Sequence, residues 1–187
     1  MIKWMPYVMN MTGILIWLKI RSRKLTNGSY WQLSTIFSAI GYLVIVGYLT
    51  LAPTSEAFLG KQQVVPFMIG TVPVNLIPFW STTADFYQNV LLMLPMGIYI
   101  ALLRPTSKIK IAFFAGLMIS FGIEAMQFVL DLVVGLSRWV DVNDVLTNTV
   151  GVLIGWLLIA LMKRTKLNRL VWRFSIDFLG LTRKGGR

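Results

Sequence analysis

Four apolar runs constrain this chain more than anything else in it: WQLSTIFSAIGYLVIVGYLTLA (31–52), NVLLMLPMGIYIALL (89–103), IAFFAGLMISFGIEAMQFVL (111–130) and DVLTNTVGVLIGWLLIALM (144–162). A helix needs about 20 apolar residues to cross the hydrocarbon core of a bilayer, and within that core each backbone N–H and C=O must be paired inside its own segment. Runs of this length, separated by charged stretches, predict an all-α integral membrane bundle. The balance of 56% hydrophobic and 13% charged residues points the same way, being far from that of a soluble domain. The second run is short and contains Pro95, which predicts a kink or a tilted insertion beside a polar site. A further segment, WMPYVMNMTGILIWLKI (4–20), is interrupted by Pro6, Asn10 and Lys19. We read it as a span, giving four to five transmembrane helices. It lacks a small-residue cleavage site and runs into KIRSRK, which argues against a removable signal peptide.

The net charge of +11 sorts by side. Fifteen of the eighteen Lys and Arg residues fall in 19–24, 104–110 and 163–187, whereas 53–88 and 131–143 contain only Lys61 and Arg138. By the positive-inside rule the three basic stretches are expected to be cytoplasmic, C-terminus included, in a multi-pass protein of the cell membrane. Glu56, Asp85, Glu124, Asp131, Asp141 and Asp144 then lie toward the outer side, with Asp177 the exception. Charge explained by topology leaves no reason to expect a nucleic-acid partner. The chain accordingly divides into residues 1–30 (an N-terminal span and basic linker), 31–162 (a four-helix membrane domain) and 163–187 (a basic tail). In that tail, Arg169 and Arg173 alternate with Leu170, Val171, Trp172 and Phe174, a pattern expected of a cationic amphipathic helix resting on anionic lipids at the cytoplasmic face.

The chain has no cysteine and no histidine, which excludes thiolate chemistry, the usual serine triad and imidazole metal sites. Chemistry must come from oxygen and amide groups. On a helix, Glu124, Gln127 and Asp131 share one face, with Ser120 and Gly116 below them; Asp144, Asn148, Gly151 and Gly155 form a second stripe, which Asp141 joins if it is already helical. The short connection between these two helices makes them antiparallel neighbours. Glu124, about 9 Å below the helix end, is then expected level with Asn148, and Gln127 with Asp144, with the small residues permitting close approach below. An acid at mid-span costs about 2.5–3.5 kcal/mol on insertion scales, so its retention points to a role. In the outer loop, Asn75 introduces Leu76, Ile77, Pro78 and Phe79, a turn followed by an apolar wedge that should dip toward the bilayer. Asp85 and Asn89, four apart, face the same way as the chain enters the next span.

NLIPF (75–79), QNVLLMLPMG (88–97), the E-x-x-Q of IEAMQF (123–128) and DVNDVLTNTVGVLIG (141–155) together resemble the ordered motifs of VanZ-like membrane proteins. The resemblance covers about residues 31–162. It is carried by Asn75, Pro78, Asn89, Pro95, Gly97, Glu124, Gln127, Asp141, Asp144, Asn148, Thr149 and Gly151, and by Arg138 at a position basic in many relatives. Met93, Met96 and Gln88 depart from the pattern. The resemblance implies a bacterial protein associated with glycopeptide resistance, more to teicoplanin than to vancomycin.

Three functions fit these residues. In the first, an outer polar pocket (Asn75, Pro78, Phe79, Asp85, Asn89, Gln127, Arg138, Asn148) engages an envelope lipid, a peptidoglycan precursor or a lipoglycopeptide, with Arg138 meeting an anionic headgroup. In the second, Glu124, Asp141 and Asp144 serve as catalytic groups of a hydrolase or transferase; no cofactor is required by the sequence, but the three could hold Mg²⁺ or Mn²⁺. The third, a small transporter or flippase, ranks last because no inverted repeat is visible.

Overall fold

The structure, a computed structural model, describes residues 2–25, 29–52, 67–79, 84–135 and 139–176. A 3₁₀ turn (Ile2–Trp4) leads into α1 (Met5–Leu25) and α2 (Tyr30–Leu51), followed by strands β1 (Phe67–Ile69) and β2 (Val72–Asn75). Then come α3 (Ala84–Leu103), α4 (Ile109–Val134), β3 (Val140–Asp141), α5 (Val142–Met162) and α6 (Asn168–Phe174). Among the described residues, α2, Phe86–Leu103 of α3, α4 and α5 are long and apolar enough to cross a membrane. This is a multi-pass helical membrane bundle, as the apolar runs predict. The segment read as a further span forms α1, a 21-residue helix that is not among those four. Arg138, the side chain of Asp85 and the tail from residue 177 lie outside the described residues.

The direction of burial in α4 shows which solvent the helix is built for. Its buried residues are Ala112, Gly116, Ser120, Glu124, Gln127 and Asp131, spaced by three or four and therefore on one face. The opposite face exposes Phe114, Met118, Phe121, Val129 and Val133. A soluble amphipathic helix does the reverse. Here the apolar side meets lipid, and the polar side meets protein.

At the centre of the bundle, α3 and α5 run side by side in the same direction and pack backbone to backbone. A Cβ at Gly97 would collide with the Val152 carbonyl, one at Gly151 with the Val90 carbonyl, and one at Gly155 with the Leu94 carbonyl. Lipid tails are as apolar as leucine, so helices in a membrane associate through close packing, which small residues permit. Gly151 and Gly155 are spaced as Gly-x-x-x-Gly, and they face α3. The expected approach of these glycines to α4 is thus corrected. It is Gly116 of α4 that meets α5, where a Cβ would stand 3.1 Å from Val152 Cβ. Tyr42, Val46, Met93 and Val152 form the adjoining core. The helix α3 continues through Pro95, and in the turn before it the Tyr42 hydroxyl donates to the Leu92 carbonyl at 2.8 Å.

Alternating chain direction places the 104–110 and 163–176 segments at one end, the basic end, and the three strands at the other, the polar end. At the basic end α6 docks on the bundle as well as presenting charge outward. Val171 is buried with Ala101, Leu102 and Ile159, Thr35 donates to the Phe174 carbonyl (2.9 Å) and Gln32 to that of Ser175 (3.1 Å), while Arg169, Trp172 and Arg173 are exposed. Lys163 donates to the Pro105 carbonyl at 2.8 Å just past the C-terminus of α3, where a cation complements the helix dipole. Burial lowers its pKa from the ordinary lysine value.

The sheet is an addition to the all-α expectation. Phe67–Ile69 and Val72–Asn75 form a hairpin turned at Gly70 (φ +63°), and β2 pairs in parallel with β3 in the register Val74↔Val140 and Asn75↔Asp141.

Gly155→Leu is expected to destabilise the detergent-solubilised protein by about 3 kcal/mol or more, since overpacking ordinarily costs 1–3 and here the obstacle is backbone. Gly122→Leu, at a position with nothing within 4 Å of a Cβ, should melt within a few degrees of the native protein. Equal melting temperatures for the two variants would show that α3 and α5 do not meet this closely.

Candidate functional site

The polar end is organised around Asp141. It ends β3 and caps α5 (φ −128°, ψ 125°), so it is extended, and the condition on which it would join the α5 stripe is not met. One of its carboxylate oxygens, Oδ1, accepts the Asn143 N–H (2.7 Å), satisfying an otherwise unpaired first-turn donor, and also the Asn75 side-chain amide (3.0 Å). Asn75 Oδ1 in turn accepts the Ile77 N–H at 3.0 Å, the turn its side chain favours. Two residues on, Phe79 donates its N–H to Asn143 Oδ1 at 2.7 Å. Phe79 has φ +60°, a left-handed conformation that costs a residue of its bulk about 1–3 kcal/mol unless its surroundings hold it. The NLIPF loop is therefore fastened at both ends by asparagine amides. Leu76, Ile77, Pro78 and Phe79 are exposed.

Beneath the loop, α4 and α5 share a buried polar seam. Glu124, 4% exposed, accepts the Asp141 N–H at 3.1 Å. One turn deeper, Ser120 donates to the Asp144 carbonyl (3.2 Å) and accepts the Asn148 amide (3.2 Å). Thr147, fully buried, donates to the Asn143 carbonyl at 2.7 Å. Two atoms are left over: Asn143 Nδ2, a donor, and Asn148 Oδ1, an acceptor, are buried with no hydrogen-bond partner among the described residues. An unmet buried polar atom costs about 1–3 kcal/mol, so the seam retains capacity to bind a polar group.

This differs by about a turn from the depth matching expected. Glu124 meets Asp141 and not Asn148; Asn148 reaches Ser120. The cause is that α4 continues to Val134, putting Glu124 ~15 Å from its end. Gln127 is not level with Asp144 but donates to the Thr50 carbonyl at 3.1 Å, tying α4 to α2. Asn89 is half-buried on α3, outside these hydrogen bonds. Asp144 is half-buried at the third residue of α5, where a carboxylate favours the helix N-terminus. Among the described residues no group of three acidic side chains stands close enough to hold a metal ion, although Glu124 lies against the backbone N–H of Asp141. Asn143, the residue holding the strained Phe79, was not among those singled out in the sequence. Its position between Asp141 and Asp144 in a capping segment was the available signal.

A family model described as VanZ/LLP1 matches residues 39–163 of the chain. No curated protein and no solved structure matches it.

Removing the Asp141 cap by Asp141→Ala should cost about 1–2 kcal/mol and speed amide exchange in both the first turn of α5 and the 75–79 loop. Asp141→Asn keeps an acceptor oxygen and should lose less than half as much. If exchange in the loop is unchanged in Asp141→Ala, the loop is not held through Asn75.

Proposed function

This chain belongs to the VanZ/LLP1 family, and from that premise we propose that its polar end is an outward-facing binding site for a lipid-tailed envelope molecule. The proposed class comprises envelope lipids, lipid-linked peptidoglycan precursors and lipoglycopeptides. The consequence is reduced action of glycopeptides that carry a lipid tail, teicoplanin before vancomycin. One observation carries this reading: exposed Leu76, Ile77 and Phe79 are clamped by Asn75 and Asn143 directly over a buried polar seam. An apolar wedge at the interface suits an acyl tail, and unmet amide atoms beside it suit a polar headgroup. The outward orientation rests on the gathering of Lys and Arg at the opposite end.

A second reading, an intramembrane hydrolase or transferase, is favoured by the buried Glu124 carboxylate. Among the described residues its three candidate carboxylates do not form a group able to hold a metal ion, so a substrate or a divalent cation would have to draw them together. Turnover of an envelope lipid by purified protein, stimulated by Mg²⁺ or Mn²⁺, would support that reading.

The test of the binding proposal is drug susceptibility of a sensitive Gram-positive host expressing native protein, Leu76→Ser/Phe79→Ser, Asp144→Asn or none, at matched membrane levels. Burying each apolar side chain is worth about 1.5–3 kcal/mol, or roughly 10- to 150-fold in affinity. The double variant should therefore return teicoplanin susceptibility to that of the empty host while vancomycin susceptibility barely moves. Equal protection by native and double-variant protein would remove the wedge from the mechanism. No protection by native protein would remove the resistance role.

A further inference from the structure

The 75–79 loop is fastened at both ends, but the two fastenings differ in kind. At the near end Asn75 is buried and stands opposite Asp141 in the β2–β3 register. Its amide donates to the Asp141 carboxylate (3.0 Å), and its oxygen accepts the Ile77 N–H (3.0 Å). Because β2 lies between β1 and β3, that end of the loop is part of the sheet. At the far end the chain is held by the Phe79 N–H on Asn143 Oδ1 (2.7 Å) and by the Phe79 ring against Phe86, centroids 6.3 Å apart. Phe79 makes that bond with φ +60°, where a bulky L-residue is strained. Pro78 before it has no N–H to contribute, and Phe79 itself is 63% exposed, so its ring recovers little by burial.

Strain of this kind is comparable in size with the net contribution of one hydrogen bond. At Phe79 the two oppose each other and nearly cancel. A segment held by such a balance has a second accessible arrangement, in which Phe79 relaxes to an ordinary negative φ and its N–H leaves Asn143. The partner in the latch also favours release. Asn143 is 3% exposed, and its Nδ2 is buried with no hydrogen-bond partner among the described residues, so contact with water would satisfy a donor that the closed arrangement leaves unmet. We propose that residues 75–79 form a strained strap, hinged in the sheet at Asn75 and latched at Phe79, whose release uncovers the Asn143 amide. The strap follows from the backbone and its bonds, and it stands whether or not the polar end binds a ligand.

The experiment is residue-resolved NMR hydrogen exchange on the full chain in detergent micelles, corrected for intrinsic rates. It follows the residue 79 N–H, the Asn143 Nδ2 protons and the N–H groups of β2. In native protein the first two are expected to exchange through one opening, with similar protection, while β2 stays better protected. Phe79→Gly removes ring and strain together, whereas Phe79→Ala removes the ring and keeps the strain. The glycine variant should therefore protect Nδ2 at least severalfold better than the alanine variant. Asn143→Ala, which removes the latch, should speed exchange at residue 79 severalfold and leave β2 unchanged, and Asn143→Asp, which keeps an acceptor oxygen, should restore most of the protection. Equal protection in the glycine and alanine variants overturns the strain, and Asn143→Asp exchanging as fast as Asn143→Ala overturns the latch. Nδ2 protons that exchange freely in native protein while Phe79 stays protected show that the strap covers nothing. Faster exchange throughout β2 in Asn143→Ala shows sheet and loop opening as one unit and overturns the hinge.

Discussion

The rest of the structure depends on how closely α3 and α5 approach. At Gly97, Gly151 and Gly155 the space a Cβ would take is occupied by backbone of the facing helix. The separation is thus set by main chain against main chain, with no side chain able to adjust it. Because the two helices run in the same direction, fixing their contact at mid-bilayer also fixes the relative height of their N-termini. The β2–β3 pairing sits at that level, and its register puts Asn75 opposite Asp141. The clamp on the NLIPF loop is therefore built on packing ten or more residues below it.

The buried polar seam answers a different demand. Glu124, Ser120, Asn148 and Asn143 are taken out of both water and lipid, and most of their capacity is met within α4, α5 and the loop. Where lipid is the solvent, a polar residue turned outward has no partner, so these side chains orient the two helices as strongly as apolar ones orient a soluble bundle. The two leftover amide atoms mark where that internal matching stops. Asn143 Nδ2 belongs to the residue that holds Phe79 of the exposed apolar loop, and Asn148 Oδ1 lies deeper in the seam beside Ser120.

The four membrane-length helices were legible because length and hydropathy state them directly, and the stripe through Glu124 was legible because helical periodicity is a local property. The stripe's partners were not. Gly151 and Gly155 announce close approach in sequence, but nothing local says whether α3 or α4 fills the space. The turn of offset at Glu124 arose because Leu132, Val133 and Val134 continue α4 past its acidic Asp131, and because Asp141 leaves the helix to cap it. The short strands were hidden for another reason. Val72-Pro73-Val74 carries a proline and is too brief for alternation to show, and its pairing with Val140 and Asp141 spans more than sixty residues of chain. Asn143 carries no charge signal of its own: carboxylates stand at Asp141 and Asp144 on either side, whereas the group that holds Phe79 is a neutral amide oxygen.

One helix connects the two ends. α2 receives α6 at its first turns through Gln32 and Thr35, and its Thr50 carbonyl accepts Gln127 of α4 at the polar end. Between these, the Tyr42 hydroxyl donates to the Leu92 carbonyl in the turn before Pro95. Proline removes one helical N–H, leaving the Leu91 carbonyl without its usual partner, and crowds the preceding turn; α2 supplies a donor to the neighbouring Leu92 carbonyl of that turn. That bond joins α2 to α3 one turn from Gly97, where α3 lies against α5. The proline is thereby absorbed into the contact that sets the height of the site: α3 stays one helix because its weakest turn is braced by α2 on one side and packed against α5 on the other.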